Sequence, residues 1–456
     1  MLVNDPEFSF LFKDHDGLIA PENLGRLHLL PGLAQIHRAF QLICLEITAI
    51  ASNTKSFSGV QFGFGEQEAF EASSWRQSPS RYTIMFSLGM YERMLALFRQ
   101  LTLANAFGRY SQWTSFSKES LNFLQSMPDI GELRAKESGL PIDNLLNLDI
   151  AHAVSQEALL KAIARPPVDS KHQFDMQTLL IPALVFVYWH EVAHIVYGHL
   201  NWLEKDQGVS RLNECASLEG TLSSQESVAL VKQQRGLEYW ADDFAARRIA
   251  LDILRSANIE QEHYVLGPFW FNRENFDTFG QLEGFPDEKI EFNLEGFLYR
   301  IAFALTGLVL QFDGFFHLPH TDQTKLHPHP EVRLSHIVDA IYDQLSGGLG
   351  LHTNTYLSKL WTNQYGYAIQ TAELALKAYG AKQTPIWQDG RAVGAMFHVQ
   401  EIQAKTKKAG QEARQIKEEM DAYQYAEVLR FLDPARGVTL PLPPGRKEML
   451  GFDVRA

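Results

Sequence analysis

The sequence predicts an α+β protein that is predominantly helical, and three observations carry that reading. Long stretches after residue 176 repeat apolar residues at helical spacing, and Arg81–Ser87 is a β-prone run. Hydrophobic residues make up 45% and charged residues 21%, enough apolar side chains for a sizeable core.

The first 75 residues form a mixed segment, in which an apolar, helix-like run over Leu33–Ala51 precedes a Gly/Ser/Phe-rich stretch, SFSGVQFGFGE. The β-prone run comes next, and a helical pattern extends from Tyr91 to about Ala104. Residues 106–175 are less regular, punctuated by Pro128, Pro141 and Pro166-Pro167, and read as an insertion. Strong helices are expected at about 176–203, 237–256, 295–312 and 330–345. The last of these opens on Pro330 and stops at Gly347-Gly348, as helix ends tend to. Residues 346–456 read as a helical extension with a polar helix at 399–431. There Ile402, Ala409, Ala413, Ile416, Met420 and Tyr423 step by threes, fours and sevens, a weak seam for a partner, a second copy or the chain's own domain.

Charge and cysteine count narrow the function classes. A formal net charge of −13 argues against nucleic acid as the main partner, since phosphate neutralisation needs clustered Lys and Arg. Two cysteines, Cys44 and Cys215, exclude a disulfide framework and suit free thiols in a reducing compartment. The first residues lack a basic region followed by an apolar core, and the longest apolar stretches read as buried helices. A soluble, cytoplasmic chain without a membrane span is expected.

Chemistry enters at His190-Glu191-Val192-Ala193-His194. Positions four apart share a helical face, so both imidazoles can reach one ion, with the Glu191 carboxylate beside them as general base. Zinc lowers the pKa of a bound water from near 16 to about 7, which makes hydroxide available at neutral pH. Chance alone gives about three such motifs per hundred chains of this length, so the pattern gains weight only together with suitable residues downstream.

A third ligand is required if the fourth position is to stay open. The tenth residue after His190 is Leu200, which rules out the HExxHxxGxxH arrangement, and His199 is expected on a different face of the same helix. Glu238 is the better candidate. It shares a helical face with Asp242, and Ala241 and Ala245 allow a close approach to the HExxH helix. Asp242 is placed to accept a hydrogen bond from a ligating histidine and fix its tautomer. Further on, Pro328 and Pro330 stiffen the approach to His327 and Arg333, a pair suited to stabilising an oxyanion. Arg333 has a second reading, as the partner of a buried carboxylate.

Taken together, HEVAH with His199, then EYWAD, then HPHPEVR resembles the metallopeptidase family of the CAAX prenyl proteases and their soluble relatives. The bacterial phage-exclusion peptidases are a more distant analogy. The resemblance implies a zincin-like gluzincin domain over 76–345, with zinc on His190, His194 and Glu238 and with Asp242 and His199 behind them. It also implies Glu191, His327 and Arg333 as the residues acting on a protein or peptide substrate, and an edge strand at 82–87 to which that substrate adds. Endoproteolysis is the expected reaction. A catalytically silent zincin-fold binding or regulatory module is the alternative.

Overall fold

The run Arg81–Ser87 forms a strand, β3, but an interior one. In the computed structural model, the described residues are 18–24, 33–51, 57–66, 71–103, 170–207, 211–213, 224–256, 294–312, 330–347 and 396–432, with 361, 364, 365 and 368. Among them, strand β1 (Gly59–Gly65) runs parallel to β3, and β2 (Ala72–Ser78) runs antiparallel to it on the other side. A three-residue strand, β4 (Arg211–Asn213), closes the order β1-β3-β2-β4.

This corrects the expectation of an edge strand at 82–87. Every residue of β3 after Arg81 is buried, the pattern of a strand covered on both faces and paired on both sides. The outer edge of the sheet next to β2 belongs to β4.

The helices cover this small sheet. Helix α1 is Pro21–Leu24 and α2 is Leu33–Ala51, the latter lying on β1. Phe40 of α2 stacks on Tyr188 at 4.6 Å and meets Phe62 and Phe86 edge-on, joining helix and sheet through aromatic rings. Helix α3 (Leu88–Leu103) follows β3 directly.

The HExxH helix, α4, spans Ser170–Val196 and touches α3, β2 and β3. Its stretch Leu179–Val196 is long and apolar enough to cross a membrane, yet all of it is buried inside the fold. Burial in the core accounts for its composition.

Helix α4 does not continue to 203 as expected. It stops at Val196, and Gly198 takes φ 74°, a left-handed conformation that glycine adopts without strain. His199 therefore heads a new helix, α5 (His199–Gln207), and is not on another face of α4.

Helix α6 runs Ser224–Ser256, α7 Leu294–Phe312 and α8 Pro330–Gly347. The polar C-terminal helix, α9 (Met396–Met420), lies on α6 and α8, with Ala413, Ile416 and Met420 buried. A 3-10 turn, Asp421–Tyr423, and a short helix α10, Ala426–Leu432, end the described chain. Three of the six seam residues thus pack into the chain's own core, while Ile402, Ala409 and Tyr423 are half-buried. Of the insertion expected at 106–175, residues 106–169 lie outside the described residues, as does His327, and residues 170–175 belong instead to the start of α4.

Candidate metal centre

Helix α4 presents His190 and His194 four residues apart, on one face. Their Nε2 atoms are 3.0 Å from each other. Glu238, on α6, brings Oε2 to 3.0 Å from His190 Nε2 and Oε1 to 3.7 Å from His194 Nε2. All three residues are buried, and their ligand atoms lie within 4.8 Å of one another.

That spacing fits an ion. Ligand atoms at about 2.0–2.1 Å from a tetrahedral metal lie about 3.3 Å apart. The observed separations of 3.0 and 3.7 Å bracket this value.

Protons argue the same way. His190 Nδ1 is 2.9 Å from Asp242 Oδ1, so a neutral His190 places its proton there and leaves the Nε2 lone pair facing inward. Arg333 donates to the same carboxylate twice, Nε to Oδ2 at 2.6 Å and Nη2 to Oδ1 at 2.9 Å. Burial alone would raise the Asp242 carboxyl, but the Arg333 guanidinium and then His190 outweigh it and hold it well below the usual carboxylate range. Asp242 is therefore a buried anion whose two partners are a guanidinium and the back of a ligand.

His194 has its own support. Its Nδ1 is 2.8 Å from Nδ1 of His199, which the turn at Gly198 has folded back against it. Burial, followed by His194 itself, pushes the His199 imidazole well below its ordinary pKa, so it stays neutral and can accept the His194 proton. With that proton on Nδ1, His194 also turns a lone pair inward. Two nitrogen lone pairs and a carboxylate converging in a buried space leave acceptors facing acceptors unless a cation lies between them. The cluster could hold a metal ion.

Comparison with family models, curated proteins and solved structures returns no match.

The residues singled out in the sequence fall into four groups. His190, His194 and Glu238 come together, with Asp242 behind His190 and His199 behind His194. Glu191 is 2% exposed and lies one helical turn before His194 on α4. Arg333 is 1% exposed and takes the carboxylate pairing, with Asp242 between it and His190. His327 lies outside the described residues.

Sequence reasoning placed His199 on the wrong element. The signal was Gly198, a helix-stopping glycine directly before it. Lys417 went unnoticed as well; its ammonium lies 4.0 Å from the Trp240 ring centroid and 5.4 Å from that of Tyr197, so it reaches both α6 and the turn that follows α4.

Proposed function

We propose that this chain is a zinc-dependent endopeptidase of the gluzincin kind, with His190, His194 and Glu238 as the ligands. The observation that supports it best is the convergence of those three buried groups, two of them from the HExxH helix that also carries the buried Glu191. Zinc suits two imidazoles and one carboxylate with a fourth position open, and when bound it supplies a Lewis acid that makes water acidic near neutral pH.

The chain's own residues divide the rest of the work. Glu191 takes a proton from the attacking water and delivers it to the leaving amine. Asp242 and His199 hold the two imidazoles in the tautomers that keep Nε2 free. Arg333 keeps Asp242 ionised and is a positioning residue in this reading.

Metal analysis of the purified protein, paired with peptide profiling, is the test. Wild-type protein is expected to carry about one zinc per chain and to cleave internal peptide bonds. Glu191→Gln keeps the shape but cannot take a proton, so it should retain zinc and lose about 10²–10⁴-fold in turnover. Glu238→Ala should lose zinc. Zinc-loaded wild-type protein that cleaves nothing across a broad peptide library would leave the binding-module reading in its place.

A further inference from the structure

We propose that the C-terminal segment 396–432 is a clamp that sets the geometry of the metal centre, with Tyr425 and Gly198 as positioning residues. The inference rests on the metal-centre reading and adds a distant element to it.

The first attachment is to the end of the HExxH helix. The last carbonyls of a helix have no partner within it, and the Val196 carbonyl of α4 accepts a hydrogen bond from the Tyr425 amide at 3.0 Å. Close by, the segment lies directly on Gly198, where a Cβ would come within 2.1 Å of the Tyr423 carbonyl oxygen. That turn is what folds His199 back onto His194. The Tyr425 hydroxyl then closes a triangle, 2.5 Å from the Tyr82 hydroxyl of β3 and 3.0 Å from Asn201 Nδ2 of α5, while Tyr82 donates to Asn201 Oδ1 at 2.7 Å. Sheet, α5 and the C-terminal segment are tied at one point.

The second attachment is to the helix that bears Glu238. Trp240 Nε1, two residues from Glu238, donates to the Ala413 carbonyl of α9 at 2.8 Å. Two residues on the other side, Gly236 admits Ile416 so closely that a Cβ would meet its Cδ1 at 2.3 Å. Lys417 completes the contact over the Trp240 ring at 4.0 Å.

One segment therefore grips both ligand-bearing helices, at the turn behind His194 and on either side of Glu238. Ligands on separate helices bind a metal tightly only when those helices are held to within about 0.5 Å of the productive arrangement. The clamp supplies that restraint from the outside.

The test uses the full chain. Zinc affinity is measured by chelator competition, and the visible spectrum of the cobalt(II)-loaded protein reports coordination geometry. Tyr425→Phe keeps the ring and loses the triangle, while Gly198→Ala intrudes on the Tyr423 carbonyl and strains the turn. Leu24→Ala, in the core at α1 and outside both the clamp segment and the metal centre, serves as a variant of lowered stability alone.

Gly198→Ala should weaken zinc binding by about 10–100-fold, the scale of lost ligand support, and alter the cobalt spectrum. Tyr425→Phe should shift both in the same direction by less, and Leu24→Ala should shift neither. Should Gly198→Ala not fold, Tyr425→Phe decides. Wild-type affinity and an unchanged spectrum in the clamp variants, while Glu238→Ala loses zinc, would overturn the clamp and leave the metal centre standing. An effect of Leu24→Ala as large as theirs would also overturn it. No metal binding by the wild-type protein removes both readings together.

Discussion

At Arg333 two roles compete, and they make different demands on the same variant. A donor aimed at an oxyanion contributes only as charge develops, so its loss lowers kcat by about 10²–10³-fold and leaves the resting protein alone. A guanidinium paired with a buried carboxylate contributes to the resting protein itself. Here Nε and Nη2 both face Asp242, which also receives the His190 proton. Arg333→Met is therefore expected to leave a buried anion without its main partner, at a cost of about 3–5 kcal/mol. Its melting temperature should fall, and zinc affinity should drop by about 10–100-fold as His190 loses its orientation. Thermal unfolding and zinc competition on one sample check this; a full-strength zinc site with lowered kcat would return Arg333 to the oxyanion. At this scale each half of the candidate cluster was legible in the sequence because helical spacing is local: His190 with His194, and Glu238 with its neighbour Asp242. The Arg333–Asp242 pair spans 91 residues, and no periodicity encodes such a contact.

Elements were legible where their own composition decides them, and illegible where neighbours do. The 82–87 run has the residues of a strand, but whether a strand is interior depends on β1 and β2, hidden in a segment whose glycines and serines masked its alternation. The break at Gly198 was missed because the apolar pattern carries on through Leu200 and Leu203. The seam on α9 was visible, but its partner was not; α6 supplies it through Gly236. That contact can be weighed with a double-mutant cycle. Alanine in place of a helical glycine gains about 1 kcal/mol of helix propensity. At Gly236 the new Cβ would meet Ile416 Cδ1 at 2.3 Å, so Ile416 must move. Gly236→Ala is expected to be neutral or destabilising alone and stabilising in an Ile416→Ala background, with the difference giving the contact. Equal effects in both backgrounds would mean that α9 does not lie so tightly on α6.

Across the described residues as a whole, the segments read separately in the sequence share one core. β1 and β3, on either side of residue 75, pair in one sheet, and α9 packs on α6 and α8. Cys44 is buried in that core, its sulfur 3.2 Å from the hydroxyl of Tyr188, which lies two residues before His190. Burial pushes the Cys44 thiol up to about 12, so thiolate is scarce at neutral pH and no reagent reaches it without an opening of the fold. An unfolded cysteine loses its proton near about pH 8.5 while the folded one keeps it, so this contribution to stability is complete below that pH and declines as pH climbs toward 12. Tyr188 and Tyr91, also raised by burial, act in the same direction at higher pH. In a Cys215→Ser background, labelling of Cys44 by a disulfide reagent should be slow and accelerate with urea in step with global unfolding. It should also quicken above about pH 9 as the melting temperature falls. Fast labelling in native buffer, insensitive to urea, would mean that the core behind the HExxH helix opens locally, and that the described elements do not unfold as one unit.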